Sequence, residues 1–226
     1  MTHDHDHDHG HDHGQHNGHG EITREHFEQS SWDERYGGDG RTWSGRPNAV
    51  LVAEASDLKP GRAVDLGCGE GGDAIWLAEQ GWQVTAVDFS EAGLRKAAEH
   101  AVERGVADRI EFRQADLRTW TPEGEEWDLV SSCFLHLLDH GMVDATRQMA
   151  AAVAPGGTLL VAGHHPDDEH TGLRWSMPGV MFTADELAPA VDAERFAVRA
   201  EAPTRTETRN GETHTVTDAV LVAVRN

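Results

Sequence analysis

The sequence has few cysteines, no long apolar run and few basic residues, and each of these features argues against a class of protein. Two cysteines in 226 residues cannot form a disulfide framework, and so few fit a reducing cytoplasm. No apolar run approaches the ~20 residues of a membrane-spanning helix, and the chain does not open on a secretory signal, so we expect neither a membrane protein nor a secreted one. Only 19 basic residues stand against 40 acidic ones, and a net charge of −21 disfavours a nucleic-acid partner, because binding nucleic acid depends on neutralising phosphates. These absences leave a cytoplasmic globular protein of about one domain.

The first twenty residues differ sharply from the rest of the chain. They hold half of the 16 histidines and four aspartates, and Met1 is their only aliphatic side chain. Because such a segment has nothing to bury, we predict that residues 1–20 are a disordered tail. Alternating imidazoles and carboxylates can chelate divalent metals such as Ni(II), Cu(II) or Zn(II), and a passive flexible arm is the alternative. The candidate metal ligands are His3, His5, His7, His9, His11 and His13.

Residues 21–226 have the composition of a single folded domain. Residues 21–37 and 49–56 are expected to be helices, and residues 21–58 would form an N-terminal lid. Strands are predicted over residues 63–66, 83–88, 109–114, 127–133, 158–163, 196–202 and 214–224, with helices over residues 73–80, 90–104, 139–153 and 184–191. This alternation predicts an α/β fold with a mostly parallel sheet and helices on both faces. Asn210-Gly211 predicts that an antiparallel hairpin closes the chain.

A glycine-rich loop, GCGEGG, follows the first predicted strand and opens the next helix. Glycines there allow a sharp turn and the close approach of a ligand. Their spacing also matches the G-x-G-x-x-G of dinucleotide sites, where a helix N-terminus holds a pyrophosphate. Asp65, Glu70 and Asp73 surround this loop, however, and no Lys or Arg lies within it. The charge disfavours a diphosphate and favours the cationic nucleoside S-adenosylmethionine.

These residues resemble the class I S-adenosylmethionine-dependent methyltransferases. The stretch AVDLGCGEGGDAIWLAEQGWQVTAVDFS (63–90) is similar to the first two motifs of that family, and QADL (114–117) to the third. The resemblance implies a Rossmann-like sheet of seven strands in the order 3-2-1-4-5-7-6, with strand 7 antiparallel. It also implies that Asp65 and Gly67 face the methionine part of the cofactor, that Asp88 accepts the ribose hydroxyls, and that Asp116 and Leu117 border adenine. The remaining cofactor candidates of these motifs are Cys68, Gly69 and Phe89.

The N-terminal segment carries a second, narrower resemblance. The stretches WDERY (32–36) and WSGRPN (43–48) resemble the lid of the thiopurine and tellurite-resistance methyltransferases, which act on small, soft nucleophiles. By that likeness Trp43 and Arg46 contact the cofactor, with Arg46 meeting its carboxylate and Arg41 behind it. Tyr36 is a candidate substrate contact.

The acceptor side of the predicted site is marked by histidines. His136 follows strand four, at the edge where open α/β sheets place their ligands, and is the candidate general base. His164 and Trp175 are candidate substrate contacts, and the run from His164 to His170 is either a metal-binding cluster or a solvated acidic loop. Neither Cys68 nor Cys133 is expected to act as a nucleophile.

The sequence therefore predicts an enzyme that methylates a small molecule, with a thiol or a tellurium or selenium oxyanion as the expected acceptor. A metal-handling protein that uses the histidine-rich tail is the alternative, and an NAD-dependent oxidoreductase is a third reading.

Overall fold

The computed structural model describes residues 22–171, 177, 179–209 and 211–226. Within these ranges the strands are β1 Arg62–Leu66, β2 Gln83–Asp88, β3 Ile110–Gln114, β4 Trp127–Cys133, β5 Val153–His164, β6 Phe196–Glu201, β7 Thr204–Arg209 and β8 Glu212–Arg225. The α-helices are α1 Gln29–Gly37, α2 Ala49–Ala55, α3 Gly72–Glu79, α4 Glu91–Glu103, α5 Gly141–Ala151 and α6 Ala184–Leu187. Short 3-10 turns occupy Arg24–Phe27, Ala107–Arg109, Pro166–Thr171 and Ala188–Ala190. In the described part of the chain, no helix has both the length and the apolar character that crossing a membrane requires.

The strands form one mixed sheet in the order β3-β2-β1-β4-β5-β8-β6, with β7 paired to β8. Strands β1 to β5 are parallel to one another, and β8 runs antiparallel to both β5 and β6. This confirms the predicted α/β class and the mostly parallel sheet. The predicted order also holds when β8 is counted as the seventh strand, but the predicted number of strands is wrong, since the sheet has eight.

The additional strand is β7, which lies in a segment without a predicted strand. Strand β8 is 14 residues long, and its two halves have different partners. Its first half pairs with β7 from Arg209↔Glu212 to Thr204↔Thr217, and its second half fits between β5 and β6. The hairpin therefore joins β7 to β8 and not β6 to β8. It carries β7 past the end of β6, toward the carboxyl ends of β4 and β5.

The core lies in two layers, one on each face of the sheet. Side chains of successive strand residues point to opposite faces, so Leu159 and Val161 of β5 pack in one layer and Leu160 in the other. The first layer is closed by α5 and α6, and the second by α2, α3 and α4. Long apolar strands are typical of a parallel sheet that is covered on both faces.

Three predicted boundaries are wrong for local reasons. The first predicted helix is interrupted at Glu28, whose extended backbone (ψ 151°) separates the turn Arg24–Phe27 from α1. Helix α5 begins two residues late, because Asp139 and His140 take left-handed conformations (φ 56° and 58°). The glycines expected to precede β5 lie inside it, and a Cβ at Gly157 would stand 2.9 Å from the carbonyl oxygen of Ala154.

Candidate functional site

A cavity of about 770 Å³ opens at the carboxyl ends of the strands, where parallel α/β sheets bind ligands. Part of its wall comes from residues 22–48, which we call the lid segment. Apart from Arg41, the structure brings to this cavity every predicted cofactor and acceptor residue that it describes. These residues are Tyr36, Trp43, Arg46, Asp65, Gly67, Cys68, Gly69, Asp88, Phe89, Asp116, Leu117, His136 and His164.

The glycine loop turns sharply between β1 and α3. Gly67, Gly69 and Gly71 have positive φ angles of 82°, 50° and 83°, which side chains other than glycine rarely adopt. The N–H of Gly67 donates to the carbonyl oxygen of Val87 at 2.8 Å, and the N–H of Gly69 donates to a carboxylate oxygen of Asp88 at 2.8 Å. These two bonds fix the glycine loop to the end of β2, so that the loop and the end of this strand form one unit.

Asp65, Asp73 and Asp88 form a buried acidic group beneath the cavity. They are 2%, 8% and 6% exposed. Burial raises the pKa of Asp65 well above its usual range, and the neighbouring charges of Asp73 and Asp88 raise it further. Burial also raises the pKa of Asp73 and of Asp88, against the hydrogen bonds that they accept. Among the described residues, Oδ2 of Asp65 is buried without a hydrogen-bond partner.

Glu70 of the glycine loop and Asp73 at the start of α3 bind the lid segment. Glu70 accepts hydrogen bonds from the backbone N–H groups of Thr42 and Trp43, and its carboxylate lies 3.3 Å from Nζ of Lys96. Burial acts to raise the pKa of Glu70, but these bonds outweigh it and leave the pKa lowered. Asp73 accepts the backbone N–H of Asn48 at 2.6 Å and its side-chain amide at 2.9 Å. Two of the carboxylates predicted to repel phosphate therefore also bind the lid segment.

Aromatic side chains of the lid segment lie over the glycine loop. Nε1 of Trp43 donates to the hydroxyl of Tyr36 at 3.2 Å, and the ring of Trp32 lies 5.7 Å from that of Tyr36. A Cβ at Gly69 would approach the Tyr36 hydroxyl to 2.7 Å. Tyr36 is 4% exposed, and burial raises its pKa, so its hydroxyl stays protonated at neutral pH. Its position beside the loop makes it a neighbour of the predicted cofactor side.

The two arginines proposed for the cofactor carboxylate are in different places. Arg46 lines the cavity. Arg41 is absent from the cavity wall described here, and its guanidinium lies 3.8 Å from the carboxylate of Glu103 on α4. Of the two, Arg46 has the placement for the predicted role.

Asp116 follows β3 and is held by a neighbouring arginine. Nε and Nη2 of Arg118 donate to the Asp116 carboxylate at 2.9 and 2.7 Å. These bonds lower the pKa of Asp116 and orient its carboxylate at the edge of the cavity. Leu117 and Phe89 line the same region.

His136 is buried after β4, and both of its ring nitrogens bind the backbone. Nδ1 lies 3.1 Å from the carbonyl oxygen of Phe134, and Nε2 accepts the N–H of His164 at 3.1 Å. A neutral ring protonated on Nδ1 is the tautomer that satisfies both bonds. The ring also stacks on His164, with the two centroids 5.0 Å apart. A general base would use the lone pair on Nε2, and in this arrangement that lone pair already accepts a hydrogen bond from the backbone N–H of His164.

The structure describes some of the remaining histidine and cysteine candidates. Within the described residues, no three His, Cys, Asp or Glu side chains are grouped as metal ligands, and Asp168 accepts the N–H of Thr217. Burial raises the pKa of the Cys68 and Cys133 thiols well above the usual range, as expected of side chains that are not nucleophiles. Trp175, the His170 side chain and the tail histidines lie outside the described residues.

The sequence analysis missed Arg205, which reaches the cavity from β7. Nε and Nη2 of Arg205 donate to the buried carboxylate of Asp218 at 2.7 and 3.3 Å. Its guanidinium carbon lies 6.0 Å from the centre of the Phe134 ring, and Phe134 has a left-handed backbone (φ 60°). The alternation of Thr204, Arg205 and Thr206 is a strand signal that could have identified β7. Nothing in the sequence placed that strand over the site.

Comparison with known proteins gives matches to the central part of the chain and to its whole fold. Residues 63–157 match the family described as Methyltransferase domain. The chain is 36% identical over 136 residues to trans-aconitate 2-methyltransferase of Streptomyces avermitilis, a match that covers 57% of this chain and 50% of that protein. The chain therefore spans about half the length of this curated relative.

Two solved structures share the fold. TehB from Haemophilus influenzae superposes with a TM-score of 0.62 at 16% identity, covering 88% of this chain and 67% of that one. Magnesium protoporphyrin IX methyltransferase from Synechocystis PCC 6803, with bound SAH, superposes with a TM-score of 0.60 at 20% identity, covering 90% and 98%. At these identities the likeness concerns the fold alone.

Proposed function

We propose that the chain carries a class I S-adenosylmethionine-dependent methyltransferase domain and that the protein transfers a methyl group to a small-molecule acceptor, a proposal that the match of residues 63–157 to the Methyltransferase domain family supports. One observation supports this proposal most strongly. A buried carboxylate oxygen, Oδ2 of Asp65, has no hydrogen-bond partner in the described structure and lies at a cavity with a second buried acid, Asp88. An unpaired buried carboxylate is costly, and a cationic ligand relieves that cost.

The residues present fit S-adenosylmethionine. We propose that Asp65 faces its ammonium group and that Asp88, at the end of β2, accepts the ribose hydroxyls. Asp116 and Leu117 would border adenine, and Arg46 would meet the carboxylate. The remaining lining groups Gly67, Cys68, Gly69, Phe89 and Trp43 would enclose the cofactor.

Positioning is the main work that this chain's residues would do. Asp65, Asp88 and Arg46 would hold S-adenosylmethionine, which would supply an electrophilic methyl group with S-adenosylhomocysteine as the leaving group. In-line transfer of this kind depends on near-attack geometry and on the exclusion of water. The lid segment, fastened through Glu70 and Asp73, covers the glycine loop and would exclude water there.

We propose that the acceptor is a small molecule that is already nucleophilic when it binds and does not need to be deprotonated by the enzyme. Because both nitrogens of His136 bind the backbone, this side chain is poorly placed to remove a proton from the acceptor. A thiolate or a tellurium or selenium oxyanion needs no such removal. The relatives named for trans-aconitate and the fold shared with TehB are compatible with small acceptors.

The proposal is tested with methyl-labelled S-adenosylmethionine. The full chain is incubated with the labelled cofactor and with thiols, tellurite, selenite, phenols and trans-aconitate, and the products are separated for label. We expect label on at least one acceptor, and a rise in Tm with S-adenosylhomocysteine but not with NAD. Methylation of none of them, or a rise with NAD alone, would contradict the proposal.

His136 gives a sharper test of how the acceptor is activated. We expect His136→Gln to lower kcat by about tenfold at every pH while leaving cofactor affinity unchanged, because the side chain joins the loop after β4 to β5. The measurement is a pH profile of kcat/KM together with calorimetry of S-adenosylhomocysteine.

The control for this variant is His214→Gln, on the distal part of the hairpin, which should leave both quantities unchanged. A general base would behave differently, since its loss removes the acid limb of the pH profile. Disappearance of that limb in His136→Gln would return His136 to the role of base.

A further inference from the structure

Most of the carboxylates in the cavity wall lie on one side of it. The ends of β1, β2 and β3 and the glycine loop supply carboxylates, namely Asp65, Glu70, Asp73, Asp88 and Asp116. The side formed by β4, β5 and the hairpin supplies His136, His164 and Arg205. Among the described residues on this side, Asp139 is the one lining carboxylate, and it is paired with Arg24 at 3.0 and 2.5 Å. In a chain with a net charge of −21, this arrangement of the described residues is a specific one.

Arg205 is held in a fixed orientation on that side. Asp218, 2% exposed, binds its guanidinium through Nε and Nη2, and Glu207 binds Nη1 at 3.3 Å. These bonds do not use all the N–H donors of a guanidinium. The Arg205 side chain is 38% exposed and lines the cavity, so its remaining donors are open to a ligand there.

Phe134 forms the neighbouring surface. The centre of its ring lies 6.0 Å from the guanidinium carbon of Arg205 and 4.8 Å from the centre of the His164 ring. The left-handed backbone that turns this ring into place is costly for a residue other than glycine, and such strain concentrates at functional sites. A flat apolar surface beside a fixed guanidinium suits a planar organic anion.

We propose that the methyl acceptor is an organic anion and that Arg205 recognises its charge, with Asp218 as the residue that positions the guanidinium. This rests on the proposed methyltransferase function and adds the substrate class to it. The acceptor would lie on Phe134, with its anionic group on Arg205 and its nucleophile toward the cofactor side. A second cation close by, the sulfonium, would favour the same charge on the acceptor.

The test uses acceptor pairs that differ only in charge. The probes are 2-, 3- and 4-mercaptobenzoate and the three matching mercaptobenzamides, titrated by calorimetry into the full chain saturated with S-adenosylhomocysteine. We expect the wild-type protein to bind at least one benzoate about tenfold or more tightly than its amide, and Arg205→Gln to lose that preference. Arg205→Lys keeps the positive charge but not the paired N–H donors of the guanidinium, and it should keep only part of the preference for the benzoate.

Removing Arg205 alone leaves the buried Asp218 without its partner, which destabilises the fold. The double variant Arg205→Gln/Asp218→Asn removes both charges and should lose the preference with less loss of Tm. Arg199→Gln is the matched control, because Arg199 also binds two carboxylates, Glu54 and Glu201, but lies away from the cavity wall. It should keep the wild-type preference.

Two results would overturn the inference. One is a wild-type protein that binds no benzoate more tightly than its amide. The other is a preference that survives in both Arg205→Gln and the double variant. Failure of the proposed function gives a different result, since the wild-type protein would then not bind S-adenosylhomocysteine at all.

Discussion

Asp65→Asn is expected to raise the stability of the ligand-free protein and to weaken its affinity for the cofactor strongly. Asp65 is buried beside Asp73 and Asp88, and its Oδ2 has no partner in the described structure, so its negative charge opposes folding. The asparagine amide keeps the shape, removes the charge and can donate to the adjacent carboxylates. For binding, loss of one partner of a buried ionic contact costs about 3–5 kcal/mol, or about 100-fold or more in Kd.

The stability gain should depend on pH in a defined direction. Burial raises the pKa of Asp65 in the folded state, so the folded protein holds this proton more tightly than the unfolded chain does. Below the ordinary carboxyl pKa the side chain is protonated in both states and the penalty is absent. The penalty grows as pH rises, and it is complete above the raised pKa. The Tm difference between variant and wild type should therefore be small below about pH 4, the ordinary carboxyl pKa, and should grow as the pH rises from there toward the raised pKa.

The same pKa sets the pH dependence of binding. A protonated Asp65 offers no charge to an ammonium group, so the affinity of the wild-type protein for S-adenosylhomocysteine should rise as pH increases through the raised pKa. In Asp65→Asn this dependence should flatten. Calorimetry and thermal melts across this pH range measure both effects.

Asp144→Asn is the control, since this aspartate of α5 is 84% exposed and paired only with Arg147 at the surface. It should change neither Tm nor affinity. About 1 kcal/mol corresponds to roughly 2–4 °C in Tm for a domain of this size, so the gain is measurable. A variant that melts below the wild type, or one that binds the cofactor normally, would refute the role of Asp65.

The parts of the fold that the sequence predicted well are those set by short-range signals. Strands β2 and β4 begin and end at the predicted residues, because their apolar runs are bounded by polar residues or turns. The glycine loop was recognised because its conformation depends on the glycines themselves. The convergence of the candidate residues follows from the geometry of parallel sheets, in which the carboxyl ends of the strands share one edge.

The features that the sequence could not supply depend on contacts between distant segments. The sequence does not predict that Glu70 binds the lid segment, because its partners Thr42 and Trp43 lie 28 and 27 residues away along the chain. The occupied nitrogens of His136 depend on the backbone of β5. Arg205 reaches the cavity because β8 is long enough to pair with β7 beyond the part that pairs with β5 and β6, and local propensity does not encode such tertiary pairing.

Asp88 has a structural and a proposed binding role at once. Its two carboxylate oxygens accept the N–H groups of Gly69 and Ser90 at 2.8 and 2.9 Å, which joins the glycine loop to the start of α4. The same carboxylate lines the cavity and has further lone pairs for two ribose hydroxyls. Replacing it therefore removes both the proposed contact and the bond that shapes the loop.

Asp88→Ala is expected to weaken binding of S-adenosylhomocysteine by about 100-fold or more, because hydrogen bonds to a charged acceptor contribute about 1.5–3 kcal/mol each. Asp116→Asn provides the comparison, because this side chain is proposed to make a single contact with adenine and should cost about tenfold at most. To separate the two roles of Asp88, affinity is measured for S-adenosylhomocysteine and for its analogue in which the ribose hydroxyls are replaced by hydrogen. The wild-type protein should prefer the natural ligand, while Asp88→Ala should bind the two nearly equally. A preference that persists in Asp88→Ala would mean that the carboxylate shapes the loop without touching the ribose.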